Sequence, residues 1–274
     1  MYKQTALTNV DSYKLGHAEQ YPDGTTKVYS NFTARSEAHF AVPNEYKDGH
    51  FVWAGMQAFL QELTEIWDKT FFELPIEEVA DEFQTFVAPF CGPNGFTIGR
   101  IRALHALGYL PLEIKALPEG SRVNIGVPVL TITNTNPEFY WLPNYLETWL
   151  SDELWKMSTS ATTSYVYRKI LERYADLTGG SKEFVAWQGH DFSLRGMSGM
   201  IDGAKSGTGH LFSFMGTDVL PAVKLINDVY HGKKTFVGGS VPATEHSCAT
   251  SNILSYGDEE LLEIEKEFDS RNLV

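Results

Sequence analysis

Polar side chains recur at a constant spacing in the C-terminal half of the sequence. His190, Met215 and Ser240 each follow a short apolar run, and their positions are 25 residues apart. The chemically useful groups near these points are His190, Asp191, Phe192 and Arg195, then Gly216, Thr217 and Asp218, then Ser240, Glu245 and His246. Each of the three segments therefore offers groups that can hydrogen-bond, carry charge or stack on a ring.

Common short catalytic motifs are absent from the sequence. It contains no HExxH zinc pattern, no Walker A loop, no Rossmann glycine fingerprint and no G-x-S-x-G nucleophile elbow. No set of residues has the spacing of a metal site. The chemistry of these segments must therefore come from side chains brought together by the fold.

Each of these side chains also has a purely structural explanation. Asp218 or Thr217 could cap the helix that follows, and Glu245 could be a first-turn acid favoured by the helix dipole. The histidines could be structural, and Phe192 could belong to the core. Arg195 could form an ion pair with the aspartate four positions before it. Spacing alone thus predicts only a barrel-like enzyme of unknown substrate.

Strands alternating with helices are predicted to position these segments. Predicted strands at 184–187, 211–214 and 235–237 are followed by predicted helices from about 197, at 219–230 and from about 245. Such alternation predicts parallel strands joined by right-handed crossovers. The repeat length suits a (β/α) barrel, whose active residues lie at the carboxyl ends of the strands, but a full barrel needs about eight units.

The N-terminal half has a different pattern. Predicted elements are a strand at 26–35, amphipathic helices at 52–67 and 76–86, a turn cluster at 91–95, a small antiparallel β unit at 112–133, a helix from 137 and a helix at 158–177. Gly179 and Gly180 end the last helix. We expect an α/β protein: an N-terminal α+β domain at 1–150, then a helical connection and three βα units of an incomplete, irregular barrel at 151–274.

Composition limits the broad class of protein. Hydrophobic residues make up 43% and charged residues 21% of 274 residues, as in a globular domain. The net charge of −13 disfavours nucleic-acid binding. Two cysteines without metal-like spacing, no signal peptide and no apolar run of membrane-spanning length predict a cytoplasmic protein with no membrane partner.

Long motifs in a fixed order resemble the nicotinamide phosphoribosyltransferase family. They are DSYKLGH with QYP, VYSNFTAR, LPLEIKALPEG, VPVLTITNTNPEFYWLPNYLET, HDFSLRG, F-x-GTD and SVPATEHS. The resemblance implies the type II phosphoribosyltransferase fold, an α+β part beside an irregular barrel, and a homodimer with active sites at the subunit interface.

The resemblance implies a pentosyltransferase of NAD biosynthesis. Nicotinamide reacts with phosphoribosyl pyrophosphate to give nicotinamide mononucleotide and pyrophosphate. Mg²⁺ bound with the phosphoribosyl substrate and basic side chains would stabilise the departing charge, and ATP would act as a stimulating co-substrate. A flat ring with an amide suits aromatic stacking plus a hydrogen-bond acceptor.

Family roles for the base fall on three matching residues. Phe192 would stack on one face of the nicotinamide ring, and Tyr13 of the second subunit on the other. Asp218 would accept a hydrogen bond from the amide NH₂, which favours nicotinamide over the anionic nicotinate.

Further family roles concern phosphate and ATP. Arg195 would lie against the ring and reach toward phosphate, and Arg35 would bind pyrophosphate across the dimer interface. His246 resembles the histidine that the family phosphorylates with ATP, so His246 and Asp218 are the candidate catalytic residues. Ser240 would line the pocket. Asp11 is expected to cap its local turn instead of touching substrate.

Family members continue for roughly as many residues beyond this sequence. Later barrel strands, an Arg-x-Asp motif for the ribose and a glycine-rich loop for the 5′-phosphate have no counterpart here. We therefore expect a fragment, or half of a split enzyme completed by a C-terminal partner chain. Two alternatives stay open: the sister enzyme that acts on nicotinate, and a non-catalytic remnant that binds nicotinamide.

Overall fold

Two small antiparallel sheets form the N-terminal part of the computed structural model, which describes residues 3–92, 98–231 and 236–270. Their strands are β1 Tyr29–Thr33, β2 His50–Val52, β3 Leu112–Ala116, β4 Arg122–Asn124 and β5 Pro128–Asn134. β5 lies between β1 and β3, whereas β4 pairs with β2. The predicted three-strand unit at 112–133 thus exists, but its middle strand joins another sheet. Gly120 and Gly126, on either side of β4, have left-handed backbone conformations, which allow the chain to turn from one sheet to the other.

Helices make up most of the remaining chain. They are α1 Met56–Trp67, α2 Ile76–Glu82, α3 Ala88–Cys91, α4 Ile98–Leu107, α5 Leu142–Tyr145, α6 Glu147–Thr178, α7 Lys182–Gln188, α8 Met200–His210, α9 Leu220–Ile226, α10 His246–Tyr256 and α11 Glu260–Ser270. Short 3₁₀ segments lie at Ser12–Gln20, Asn44–Tyr46, Pro137–Phe139, Ser193–Gly196 and Gly257–Glu259, and π-helical turns at Asp68–Phe72, Phe83–Val87 and Asn227–His231.

α6 replaces two of the predicted helices. The helix expected from 137 begins as a 3₁₀ segment and the short helix α5, and its later part continues with the helix expected at 158–177 in one helix of 32 residues. Gly179 ends it in a left-handed conformation, with φ of 72°, as the glycine pair predicts. Because α6 crosses position 150, it joins the two predicted domains, whose boundary stays a prediction. Part of the predicted turn at 91–95 lies outside the described residues.

Aromatic and aliphatic side chains of α1, β5, α5 and early α6 form the main core. α1 contributes Phe59, Leu63 and Trp67 from its apolar face, as its spacing predicts, and Leu130 of β5 packs into the same cluster. The carboxylate of Glu119 accepts hydrogen bonds from Gly55 N and Gln57 N, each at 2.7 Å. A distant acid therefore satisfies the free amides at the start of α1.

The C-terminal part of the chain contains parallel strand pairing, but the paired segments are not the predicted strands. β6 His190–Asp191 pairs with β7 Gly216–Thr217, and Gly216 forms a parallel bridge to Gly239. The predicted strand at 184–187 was wrong, because this segment is helix α7, begun by Ser181, whose hydroxyl accepts from Phe184 N. The predicted strand at 211–214 was also wrong, since it forms the turn after α8.

The third predicted strand at 235–237 lies partly outside the described residues, and Phe236 and Val237 are not in a strand. Residues expected in post-strand loops, such as His190 and Gly216, form the strands themselves. The observed class is a mixed helix and strand protein with parallel pairing in its C-terminal part, and barrel closure stays a prediction.

Glycines let α8 pack closely against its neighbours. A Cβ at Gly209 would lie 2.6 Å from the backbone oxygen of Met157 in α6, and a Cβ at Gly207 would lie 2.7 Å from Ala222 Cβ in α9. The backbone of α6 cannot give way without moving the helix. The α6–α8 contact, which supports both parallel strands, therefore requires glycine at 209.

We predict that Gly209→Ala lowers the free energy of unfolding by about 1–3 kcal/mol, because the added methyl overpacks a rigid helix contact. Denaturant unfolding followed by circular dichroism measures the effect. Gly99→Ala in α4 is the matched control, since a Cβ there meets nothing within 4 Å. The control should be neutral or stabilising by up to about 1 kcal/mol. Equal stability of the two variants would contradict this packing argument.

Candidate active site

Asp218 lies at the centre of a polar group drawn from three successive segments. Its Oδ1 accepts a hydrogen bond from the Ser240 hydroxyl and lies 3.3 Å from His190 Nε2. The second contact is electrostatic rather than an aligned hydrogen bond, because Nε2 is buried without hydrogen-bond geometry to any described residue. Residues from the three polar segments, which begin 25 residues apart, therefore meet beside the parallel strands, as the predicted βα repeat indicates.

Phe192 lies beside this group with its ring open to solvent. Its ring stacks on His190 with the centroids 4.4 Å apart and the planes 29° apart. The side chain is 60% exposed, so the alternative that Phe192 belongs to the core was wrong. An exposed aromatic ring next to an acceptor carboxylate can receive a flat ligand on its free face.

Thr217 and Asp218 were both candidates to cap α9, the helix that follows them. α9 begins at Leu220, with Val219 in the N-cap position, so Asp218 is not the cap. Thr217 Oγ1 accepts instead from Val219 N at 3.0 Å. The Asp218 carboxylate is thereby left to its contacts with Ser240 and His190.

Asp191 holds the turn that carries Arg195. It is buried, and its Oδ1 accepts from Ser193 N at 2.8 Å, while its carbonyl accepts from Asp218 N at 3.0 Å. Arg195 is exposed in the 3₁₀ turn Ser193–Gly196. Among the ion pairs of the described residues none joins Arg195 to Asp191, and the exposed guanidinium is available to solvent or a ligand.

Tyr13 and Arg35 lie with the N-terminal elements. Tyr13 is 61% exposed, and its hydroxyl donates to Asp11 Oδ2 at 3.3 Å. Asp11 precedes a 3₁₀ segment without a side-chain cap, so its predicted capping role was wrong, and it accepts from Thr148 Oγ1 at 2.7 Å instead. Among the described residues, neither Tyr13 nor Arg35 contacts Asp218 through a hydrogen bond or ion pair.

His246 begins α10 and is exposed. Glu245 occupies the N-cap position without capping and accepts from the Ser247 hydroxyl. In the described part of the chain, no hydrogen bond connects His246 with Asp218 or Ser240.

Two cavities flank α6. One of about 560 Å³ is lined by Arg35, by strand β1 and by α6. The other, of about 610 Å³, is lined by hydroxyl-bearing residues of α6 and reaches Gln188 and His190. Trp155 lines both cavities and is half exposed. The sequence does not indicate that Trp155 lines cavities, because a tryptophan at helical spacing is typical of a core.

Hydrogen bonding stabilises the ionised form of Asp218. The hydroxyl of Ser240 lowers the pKa of the Asp218 carboxyl, partial burial opposes this shift, and the His190 ring adds to the lowering. The carboxylate is therefore ionised at neutral pH and acts as an acceptor. Among the described residues, no group of three or more histidine, cysteine or acidic side chains could hold a metal ion.

A solved structure shows the class of fold. The crystal structure of human nicotinic acid phosphoribosyltransferase aligns with a TM-score of 0.54 at 20% identity, over 88% of this chain and 40% of that chain. This likeness shows the phosphoribosyltransferase fold. Every helix among the described residues is too short or too polar to act as a membrane span.

Sequence comparison is more specific. Residues 5–84 match the family model described as nicotinamide phosphoribosyltransferase, N-terminal domain. The nicotinamide phosphoribosyltransferase of Acinetobacter baylyi is 47% identical over 94% of this chain and 50% of its own length. That of Xanthomonas campestris is 31% identical over 91% of this chain and 50% of its length. The chain belongs to the nicotinamide phosphoribosyltransferase family and spans about half the length of the relatives it matches.

We predict that Ser240→Ala raises the pKa of the Asp218 carboxyl toward its ordinary value, because the ionised form loses its main donor. Carbon NMR of labelled aspartate carboxyls through an acid titration measures this shift. Ser198→Ala, at an exposed serine outside the group, should leave the titration unchanged. An unaltered Asp218 titration in Ser240→Ala would contradict the assigned hydrogen bond.

Proposed function

We propose that the protein provides the nicotinamide-binding half of a nicotinamide phosphoribosyltransferase. The observation that carries this proposal is the meeting of His190, Asp218 and Ser240 beside the exposed ring of Phe192. In the reaction, the pyridine nitrogen of nicotinamide attacks the ribosyl C1 of phosphoribosyl pyrophosphate. The bond from C1 to the pyrophosphate oxygen breaks, and pyrophosphate departs with the electron pair.

The proposed base site uses one stacking face and one acceptor. Nicotinamide would lie on the free face of Phe192, with its amide NH₂ donating to Asp218. The lowered pKa of Asp218 supports this role, because an ionised carboxylate only accepts. Nicotinate would place a second carboxylate against it, which is repulsive. Ser240 orients the acceptor, and Arg195, exposed on the same turn as Phe192, would reach toward phosphate.

A second subunit would complete the site. Tyr13 and Arg35 are exposed, and among the described residues neither is bonded to Asp218 of its own chain, which supports their acting on the site of a partner in a homodimer. Tyr13 would cover the second face of the ring, and Arg35 would bind pyrophosphate. The barrel would be completed by further strands, either in a longer chain or in a C-terminal partner.

The phosphate side of the proposed reaction involves groups from solution. Mg²⁺ would enter with the pyrophosphate of the substrate and would neutralise part of its charge. His246, exposed at the start of α10, would accept phosphate from ATP. The enzyme would act in the cytoplasm, and its reaction would be a step of NAD biosynthesis.

Turnover by separate and combined chains tests the proposal. The purified chain is mixed with nicotinamide, phosphoribosyl pyrophosphate, Mg²⁺ and ATP, and nicotinamide mononucleotide is quantified by chromatography. We expect product when a chain carrying the remaining half of the Acinetobacter baylyi relative is added. Omitting either chain is the control. No product in any combination would favour a non-catalytic protein that binds nicotinamide.

Base selectivity tests the role of Asp218. In the completed enzyme, Asp218→Asn should reduce the preference for nicotinamide over nicotinate by about tenfold or more, because a hydrogen bond to a charged group contributes about 1.5–3 kcal/mol. The ratio of kcat/KM for the two bases measures it. Asp228→Asn, at an exposed aspartate paired with Lys224, is the matched control. An unchanged preference in Asp218→Asn would remove this residue from the specificity role.

A further inference from the structure

The ring of His210 joins the backbones of two parallel strands. His210 is the last residue of α8, and its Nε2 lies 3.2 Å from the carbonyl oxygen of Gly189 and 3.1 Å from that of Gly216. Gly189 immediately precedes β6, and Gly216 is the first residue of β7. One side-chain nitrogen therefore contacts both strands that carry the candidate site.

The protonation of this ring follows from its partners. Carbonyl oxygens can only accept, so Nε2 must carry a hydrogen and donate to both. Burial lowers the pKa of the His210 imidazole, opposed by the nearby charge of Asp191 and by the two carbonyls, while His190 adds to the lowering. A neutral ring with its hydrogen on Nε2 fits this environment at neutral pH.

Packing holds the ring in place. His210 stacks on Phe214, with the ring centroids 5.0 Å apart and the planes 18° apart. The Phe214 ring in turn lies against the backbone of Gly189, where an added Cβ would come within 2.5 Å of it. The rotamer of His210 is therefore fixed by an aromatic neighbour that itself touches one of the two strands.

The two acceptor carbonyls stand next to the candidate site. Gly189 is followed directly by His190, and Gly216 precedes Asp218 by two residues. A change in the separation of these carbonyls would change the 3.3 Å contact between His190 Nε2 and Asp218 Oδ1. The donor of His210, which lines the same cavity as His190, thus fixes the spacing of the two strand segments that carry the candidate site.

We infer that His210 is a positioning residue: its shared Nε2–H donor holds β6 and β7 at the spacing that directs Asp218 toward the amide of the bound base. The inference rests on the proposed function for its ligand, nicotinamide, but the spacing of His190 and Asp218 can be measured without a ligand. A histidine that only fills the core would contribute stability and leave the titration of Asp218 unchanged.

Substitutions at His210 separate the two roles. His210→Phe keeps an aromatic ring against Phe214 but removes the donor, and His210→Gln restores an N–H near the position of Nε2. The matched control is His105→Phe. His105 also contacts a backbone carbonyl through Nε2, Leu74 O at 2.8 Å, and packs on an aromatic ring, Phe71. Its contacts lie in the N-terminal core.

The readouts are the carboxyl titration of Asp218 by carbon NMR and the affinity for nicotinamide by calorimetry. We expect His210→Phe to raise the pKa of Asp218 and to weaken nicotinamide binding about tenfold, as for the loss of one good hydrogen bond. His210→Gln should restore most of the original Asp218 pKa and most of the affinity for nicotinamide. His105→Phe should lower the free energy of unfolding without changing the Asp218 titration or the affinity for nicotinamide. An Asp218 titration unchanged in His210→Phe would overturn the inference.

A measurement on the unmodified protein covers the case in which His210→Phe does not fold. The ¹⁵N shifts of the imidazole should identify Nε2 as protonated and Nδ1 as unprotonated at neutral pH, and the opposite tautomer would overturn the inference. If the unmodified chain does not bind nicotinamide while Asp218 shifts in His210→Phe, the proposed ligand fails and the positioning role stands.

Discussion

Parallel pairing of three short strand segments is the constraint on which the candidate site depends. The pairing of β6 with β7 and the bridge from Gly216 to Gly239 align their carboxyl ends at one edge. Asp218, His190 and Ser240 meet there although they are far apart in sequence. Without this register, the acceptor carboxylate would lose both polar neighbours and the stacking ring beside it.

Helix packing behind the strands maintains that register. α8 lies close to α6 because Gly209 leaves no side chain between the two backbones. A buried ion pair between Lys205 of α8 and Glu153 of α6 joins the same helices, with Glu62 of α1 nearby. Burial lowers the pKa of Lys205, and Glu62 opposes this shift. Since an unpaired buried charge is costly, such a pair favours one arrangement of these helices.

Much of the N-terminal fold could be predicted from periodicity. α1 buries the apolar face that its spacing indicates, and the strands at 112–133 appear with their glycine turns. The pairing of β4 with β2 could not be predicted, because residues 50–52 lie far from it in sequence. Local patterns indicate a strand but do not identify its neighbour.

In the C-terminal half, apolar runs predict strands at positions where the chain forms a helix or a turn. The run at 184–187 is a helix with one fully buried side chain, Val185, while Phe184 is exposed. The true strands are two residues long and contain polar or glycine residues. Such short segments carry no periodicity, and their hydrogen-bond partners lie on distant parts of the chain.

Residue types and their order were sufficient to indicate the family and the chemical groups of the site. Long motifs in a fixed order carry the family resemblance, and the resemblance implies a flat ligand with an amide beside Phe192, Arg195 and Asp218. The folded chain alone revealed that Asp218 accepts from Ser240 rather than capping a helix, and that His210 connects the two strand segments. These facts depend on contacts between distant segments, whose geometry no local sequence pattern specifies.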